Sequence, residues 1–377
     1  MIIYSVIISL ITIFYGVLML WYWYGWRKAK EQSSISENIT TSVTIVIAAR
    51  NEEEHISKCI EDIINQQFPT NLLEIIVVDD HSTDGTPEIV KGFVRENLKL
   101  IQLKDPENSI FPAYKKKAVE TAIDNASGKL IITTDADCRM EPLWLASIVS
   151  YYQSNSYKVI AAPVVFRERN NLFEQFQALD FLGLMGITCG SIFHQFPVMC
   201  NGANLAYEKQ AFFDVNGFEG IDDVASGDDM LLMHKLFKKY PHSVGFLKSN
   251  TATVYTFPQE SVAGFFRQRS RWTSKSTHYS DKRITTILVI AYLFNLSLLI
   301  NFIAWPFGEL FIKLLLAQLI IKFITEYILL SSVASFFKRK DLLSVFLPAQ
   351  LMHICYVLVI GIAGITTKQQ WKGRDIQ

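Results

Sequence analysis

Three short stretches of this 377-residue chain carry side chains suited to metal and phosphate chemistry. TDADC places Asp135 and Asp137 on either side of an alanine, so one turn can aim both carboxylates at a single point. Hard cations such as Mg2+ and Mn2+ take oxygen ligands from a few carboxylates and complete their shell with phosphate oxygens. A lone D-x-D is ordinarily a solvated loop. Here the apolar run KLIITT leads into it, and a second acidic cluster, DDHSTDGT (Asp79–Thr86), follows another such run. SGDDMLLMHKL sets Gly227 before Asp228 and Asp229, where a helical pattern begins. Capping a helix N-terminus accounts for one aspartate. A second exceeds what a cap needs and is suited to act as general base on a hydroxyl. FRQRSRW, Phe266–Trp272, gathers Arg267, Arg269 and Arg271 beside an indole, shortly before an apolar run. On a helix Arg267 and Arg271 share a face, while Arg269 points elsewhere, towards lipid headgroups. The plain alternative is a basic helix lying on anionic lipid.

These groups need a scaffold that brings them together, and the intervening sequence supplies one. VTIVIAA, EIIVV, LKLIQL and KLIITT are short apolar, β-branched runs. Helical patterns follow them at Glu52–Gln67, Pro87–Asn97, Tyr114–Asn125 and Pro142–Gln153. Strands alternating with crossover helices predict an α/β, mostly parallel, doubly wound sheet. Ligands bind such sheets outside the carboxyl ends of the strands, where the acidic clusters fall.

The chain is neutral by count, with 36 Lys+Arg against 36 Asp+Glu, and shows no basic excess that would suit nucleic acid. Hydrophobic residues make up 50% and mean hydropathy is +0.21, too apolar for an ordinary soluble enzyme. The excess is localised. Residues 1–26 carry no charge and end in WYWYGW followed by RKAK. About 20 apolar residues span a bilayer, tryptophan and tyrosine favour its interfaces, and basic residues mark the cytoplasmic side. This predicts a retained transmembrane helix with the following domain in the cytoplasm. Segments near 284–305, 309–337 and 342–365 predict about three C-terminal transmembrane helices, with Pro348 interrupting the last. Lys322 and Glu326, one turn apart, pair with each other or line a substrate path. NLFEQFQALDFLGLMG reads as a core-facing amphipathic helix or one lying on the membrane. The five cysteines form no C-x-x-C pair and suggest neither a zinc site nor disulfides. The expected division is 1–26 transmembrane helix, 27–42 linker, 43–257 catalytic domain, 258–282 interfacial helix, 283–366 transmembrane helices and 367–377 tail.

VIAARNEEEHI, EIIVVDDHSTDGT, ASGKLIITTDADC, SGDDMLL and QRSRW occur in that order. Together they resemble the inverting family 2 glycosyltransferases of GT-A fold, in the membrane-bound branch with a Q-x-x-R-W motif. That branch includes cellulose, chitin and hyaluronan synthases and ceramide-type glucosyltransferases. The resemblance implies that Ala48, Arg50, Glu52, Asp79 and Asp80 hold the nucleotide. It implies that Asp135 and Asp137 bind Mg2+ or Mn2+ and the sugar diphosphate, and that Lys117 is the lysine of a G-K-A segment. Asp229 maps to the base, with Asp228 where glutamate is usual. Arg50 stands where tyrosine is common, and Lys116 replaces the glycine of G-K-A. Gln268, Arg271 and Trp272 are then donor-side groups: Arg271 forks onto phosphate oxygens, and Trp272 also walls the acceptor. Gly202 and Asn204 are implied near the acceptor sugar, and WKGR (Trp371–Arg374) resembles tails of lipid-directed members.

The expected function is transfer of a sugar from a UDP-linked nucleotide-sugar donor to a lipid or glycan acceptor at the membrane. Few C-terminal helices are available for a polymer channel, which favours a lipid acceptor over processive polysaccharide synthesis. Two other classes are a non-catalytic membrane sensor or scaffold, against which the intact acidic set argues, and a nucleotidyltransferase, which releases pyrophosphate.

Overall fold

A computed structural model describes the chain except residues 33, 105–112, 170, 225, 367–368, 372–373 and 377. In chain order the elements begin with α1 (Ile2–Lys28), β1 (Val43–Ala49), α2 (Ile56–Ile64), β2 (Leu73–Asp79), α3 (Thr86–Lys91) and β3 (Leu98–Gln102). Then come α4 (Tyr114–Asp124), β4 (Leu130–Asp135), β5 (Arg139–Met140), α5 (Trp144–Ser154), β6 (Val159–Ala161), β7 (Val164–Phe166) and α6 (Leu172–Phe193). β8 (Leu205–Glu208), α7 (Lys209–Asp214), α8 (Met230–Lys239), β9 (Val244–Phe246), β10 (Val254–Thr256) and α9 (Val262–Ser274) follow. The chain closes with α10 (Lys282–Ala304), α11 (Glu309–Phe336), α12 (Phe346–Thr366), β11 (Gln369–Trp371) and β12 (Arg374–Ile376).

Two compact units result. One comprises residues 30–167, 195–257 and 368–377, the other 1–29, 168–194 and 258–367. The expected 43–257 domain is therefore interrupted, because α6 packs with the apolar helices α1 and α11.

The α/β unit is built on a seven-stranded sheet of order β3-β2-β1-β4-β8-β6-β9. β3, β2, β1 and β4 run parallel; the continuous β-branched runs of β1, β2 and β4 suit strands buried on both faces, while the edge strand β3 is part-exposed. The far half is mixed: β8 is antiparallel to both β4 and β6. A three-stranded sheet, β5-β10-β7, lies within the same unit. α2 and α3 are shorter than their patterns suggested. Asn51 takes a left-handed φ of 52° after β1, and a turn over residues 53–55 delays α2.

Among the described residues, the helical unit contains five helices long and apolar enough to cross a membrane: α1, α6, α10 with the turn after it, α11, and α12 with the turn before it. α6 is the most buried of them, so among its two expected settings the core-facing one is observed. Its crossing with α1 depends on small residues, since a Cβ on Gly190 would meet the carbonyl oxygen of Tyr22 at 2.3 Å. Pro348 does not interrupt the last segment. It sits in the first turn of α12, where its missing N–H leaves no helical hydrogen bond unmade. Lys322 is fully enclosed, its Nζ 2.5 Å from Glu326 Oε1, and so pairs within the bundle rather than lining a path.

Candidate active site

Sheet register gathers the first group of residues. Ala48 of β1 lies opposite Asp135 of β4 on one side and Val78 of β2 on the other, and Ala49 lies opposite Asp79. Parallel neighbours are about 4.8 Å apart, so the carboxyl ends of three strands present Ala48, Asp79 and Asp135 along one edge. The loops beyond this edge are fastened to each other. Arg50 Nη1 donates to the carbonyls of Asp80 (2.7 Å) and His81 (2.9 Å). The Glu52 N–H donates to Thr86 Oγ1 at 2.8 Å, and Asn51 Oδ1 accepts from the Thr83 N–H at 2.8 Å. Asp79 and Asp80 are buried; Asp79 Oδ1 accepts from the Ser82 N–H, and Asp80 Oδ1 lies 2.9 Å from His81 Nδ1. The expected nucleotide residues therefore share one interlocked loop pair at the sheet edge.

The D-x-D turn is braced from beneath. The Cys138 N–H donates to the Asp135 carbonyl at 3.1 Å, closing the turn. Arg139 forks onto Asp62 of α2 at 2.6 and 2.8 Å, and Asp62 also accepts from the Met140 N–H. Thr256 Oγ1 of β10 donates to Asp137 Oδ2 at 3.2 Å. Ligand atoms of Asp135, Asp137 and Cys138 lie within 4.8 Å of one another. Burial raises the Cys138 thiol well above its ordinary pKa, and the Asp137 and Asp135 carboxylates add to the effect. The buried thiol lies against Asp137 Oδ1 at 3.7 Å, and the half-exposed carboxylates of Asp135 and Asp137 are the oxygen groups that could hold an ion. Such an oxygen set fits Mg2+ or Mn2+ with phosphate oxygens completing the shell.

A lysine joins the two acidic motifs. Lys115 Nζ lies 2.8 Å from Asp135 Oδ1 and 3.4 Å from Asp228 Oδ2. Burial works against its ammonium, but Asp135, Asp228 and Asp229 outweigh that and raise its pKa above the ordinary lysine value. Lys117, expected as the donor-side lysine of a G-K-A segment, is exposed and points to Glu120 at 3.7 Å. Lys116 is buried, and its ammonium caps the carbonyls of Ile221 and Val224 at 2.5 Å each, fixing the segment that precedes Asp228. The signal for Lys115 was available. Buried Ala118, Val119, Ala122 and Ile123 define the inner face of α4, and helical spacing projects that face back onto 115 and 116 but not 117.

Asp229 caps α8, taking the Met230 N–H on Oδ1 at 2.6 Å and the Gly202 N–H on Oδ2 at 3.1 Å. Gly227, at φ 85°, provides the left-handed turn that delivers the chain into this position. Gly202 in turn accepts from Thr133 Oγ1 of β4 at 2.7 Å. A Cβ on Gly202 would lie 3.4 Å from both Asp228 Oδ2 and Asp229 Cβ, so Gly202, expected near the acceptor sugar, adjoins the acidic pair. Asn204, expected near the acceptor sugar, has its amide turned into the unit. It is buried, donates to the carbonyls of Pro163 (2.7 Å) and Ala252 (2.8 Å), and accepts from Trp144 Nε1 at 3.0 Å. Its amide is engaged in holding three segments together.

Gln268, Arg271 and Trp272 lie on α9 in the helical unit, each half-buried. Arg269 is not at a lipid surface: it is buried and its Nη2 donates to Asp180 Oδ2 at 2.7 Å. Its guanidinium lies 4.5 Å from the Trp272 ring centroid, and Trp272 packs near Phe181 at 6.0 Å. Of WKGR, Lys372 and Gly373 fall outside the described residues, as do the side chains of its other two members.

The family model for glycosyl transferase family 2 matches residues 44–205, and that for glycosyl transferase family group 2 matches residues 130–363. Glycosyltransferase AglE of Haloferax volcanii is 30% identical over 130 residues, 34% of this chain and 41% of that protein. Dolichyl N-acetyl-alpha-D-glucosaminyl phosphate 3-beta-D-2,3-diacetamido-2,3-dideoxy-beta-D-glucuronosyltransferase of Methanococcus voltae is 23% identical over 324 residues, 82% of this chain and 92% of that protein. The chain spans only 41% and 54% of the first curated relatives it matches. Among solved structures, a mannosyltransferase from Pyrobaculum calidifontis, in complex with GDP-Man and Mn2+, has a TM-score of 0.58 at 17% identity. That alignment covers 95% of this chain and 99% of the other, which establishes a shared GT-A-like fold. With more than half of its length matched by one family model, the chain belongs to the family 2 group of glycosyltransferases.

Proposed function

We propose that the chain is an inverting, metal-assisted glycosyltransferase that moves a sugar from a UDP-linked donor to a lipid acceptor at the membrane, with its α/β unit in the cytoplasm. The observation that carries this reading is the meeting of Lys115 with Asp135 and Asp228, beside the Asp229–Gly202 contact. One cationic and several anionic groups from separate motifs thus converge at the carboxyl edge of a parallel sheet. The lipid acceptor is supported by the Methanococcus relative, whose name specifies a dolichyl-phosphate-linked sugar as its acceptor. Arg27 and Lys28 at the end of α1 support the orientation.

In this scheme Asp229 accepts the proton of the acceptor hydroxyl. The hydroxyl oxygen bonds to the anomeric carbon from the face opposite the diphosphate, and the electrons of the breaking C–O bond pass to the diphosphate. Two backbone N–H donors hold the Asp229 carboxylate in place before the acceptor arrives. Lys115 offers a fixed positive charge where negative charge develops on the leaving group. Asp135 and Asp137 would hold Mg2+ or Mn2+, which supplies further charge neutralisation at the diphosphate. Arg271, Gln268 and Trp272 are proposed as the contribution of α9 to the donor and acceptor, with Arg271 gripping phosphate oxygens. Ala48, Arg50, Glu52, Asp79 and Asp80 are proposed to bound the nucleotide.

The test uses the full chain in detergent with Mn2+, polar lipid extract, and UDP-glucose, UDP-N-acetylglucosamine and GDP-mannose in turn. Release of nucleoside diphosphate together with a hexose-bearing lipid in the mass spectrum is expected. Pyrophosphate release would establish nucleotidyl transfer instead, and a ladder of long polymer would establish processive synthesis.

A further inference from the structure

α9 is seated by a polar contact that the transfer scheme does not use. Phe265, Arg269 and Trp272 recur at helical spacing and form one stripe, while Gln268 and Arg271 form the adjacent one. The first stripe faces the bundle. Phe265 packs edge-on against Phe173 and Phe176 of α6 and against Tyr356 of α12, at 5.8, 5.8 and 5.2 Å. One turn on, Arg269 reaches Asp180 of α6, with both side chains almost fully enclosed. The other oxygen of the same carboxylate accepts from the Tyr356 hydroxyl at 2.8 Å. A single carboxylate on α6 therefore ties α9 to α12. At the other end of that helix pair a Cβ on Gly364 would come within 2.8 Å of Thr273 Cβ, so α12 lies close against α9 at two heights.

The linkage extends into the bundle: His353 Nε2 lies 3.9 Å from Asp180 Oδ1, and His353 Nδ1 lies 3.5 Å from Lys322 Nζ. Lys322 pairs with Glu326, which accepts from the Tyr15 hydroxyl of α1.

Desolvation offsets most of the attraction in a buried ion pair, so such a pair is weak evidence for a stabilising role. Its geometric consequence is stronger. Arg269 meets Asp180 in one rotational setting of α9, and neighbouring helical positions are 100° apart. A slip by one position would therefore re-aim the whole Gln268–Arg271 stripe. We propose that Asp180 is a positioning residue for sugar transfer: through Arg269 it sets the rotation of α9 and so the direction in which Gln268 and Arg271 are presented, and Tyr356 couples that setting to α12. This rests on the assignment of Arg271 to the diphosphate.

The experiment compares Asp180→Leu/Arg269→Met with wild type as purified full chains, because removing both charges together leaves neither buried alone. Turnover is read as nucleoside diphosphate released from whichever of the three donors above wild type uses, with polar lipid extract and Mn2+, and folding is read by thermal melting. In a folded double variant, kcat is expected to fall at least ~10-fold with donor KM within about threefold, as for a misaimed group. Any other result in a folded double variant overturns the proposal. If the double variant does not fold, Tyr356→Phe, which removes one hydroxyl and keeps the ring packing, decides by the same criterion. Arg271→Ala separates the two levels. Its loss of turnover beside an unaffected double variant sinks the positioning role alone, whereas unchanged turnover in Arg271→Ala sinks the diphosphate assignment and the positioning role with it.

Discussion

Lys115 and Asp135 meet at 2.8 Å, and the same ammonium lies 3.4 Å from Asp228. One side chain thus links the D-x-D turn to the acidic pair that opens α8, and the proposed transfer assigns its charge to the leaving diphosphate.

Lys115→Ala is therefore expected to raise the donor KM, lower kcat, or both, reducing kcat/KM by at least ~10²-fold, in line with loss of one fixed electrostatic donor. Lys117→Ala, which removes an exposed side chain paired only loosely with Glu120, is expected to stay within about twofold, as surface pairs contribute little. Steady-state kinetics with varied donor checks both. Equal effects from the two substitutions would remove Lys115 from the proposed diphosphate site.

Asp229→Asn separates capping from catalysis. Asparagine caps helices nearly as well as aspartate, so the α8 cap should survive on its one oxygen, while the amide nitrogen in place of the second oxygen gives up the contact from the Gly202 N–H. What is lost is the proton acceptor, and general-base loss costs ~10²–10⁴-fold in rate. Donor binding, measured by calorimetry with the nucleoside diphosphate, is expected to be retained. Turnover unchanged in Asp229→Asn would transfer the base role to another group.

Much of the site could be read from the chain because its residues follow strands. β1, β2 and β4 are buried on both faces, so their apolar runs are continuous, and whatever follows them reaches the carboxyl edge. β5 has two residues, and β7 and β10 three each, too short for any period to register. Side-chain direction was harder. The local pattern aims Arg269 at lipid headgroups, because nothing nearby in sequence reveals that Asp180, 89 positions earlier, waits inside the bundle. Asn204 looked like a polar site residue because its three partners, at positions 144, 163 and 252, come from distant segments.

The correction at Asn204 predicts a change in stability, not specificity. Asn204→Ala strands the Trp144 N–H and two carbonyls in a buried setting, at a cost of about 2–4 kcal/mol. Thermal melting is expected to fall accordingly while KM for the acceptor in the surviving folded fraction stays put. A selective rise in acceptor KM with unchanged melting would restore Asn204 to the acceptor side.

Glu74 supplies a pH dependence at the opposite end of the sheet. Burial alone would raise its pKa, but hydrogen bonds from Lys99, from the N–H and hydroxyl of Ser127 and from Thr44 together hold it at about 2, below the ordinary 4.5. A depressed carboxyl contributes stability that is complete above the unfolded value and disappears as pH falls towards the folded one. Wild type should therefore lose stability between pH 4.5 and about 2, and Glu74→Gln should lose less over that window. At neutral pH the substitution should cost about 1–2 kcal/mol, allowing for solvent screening of the partly exposed Lys99 contact. Melting curves at neutral and acid pH measure both quantities, and parallel curves for the two proteins would remove Glu74 as the cause.

Metal dependence follows from the donor set at the D-x-D turn. Chelation is expected to lower turnover at least ~10²-fold, as loss of charge stabilisation at a leaving group does, and Mn2+ or Mg2+ should restore it. Asp135→Asn and Asp137→Asn should each weaken the restoring ion's apparent affinity. Cys138 is the informative control, since its sulfur lies among the same ligand atoms but is buried and set against Asp137 Oδ1. Cys138→Ser should keep the ion requirement and its preference for oxygen-seeking metals, with activity within about threefold. If wild type instead worked best with a thiophilic ion such as Cd2+, and Cys138→Ser abolished that preference, sulfur would belong to the site and the two-carboxylate account of the turn would be wrong.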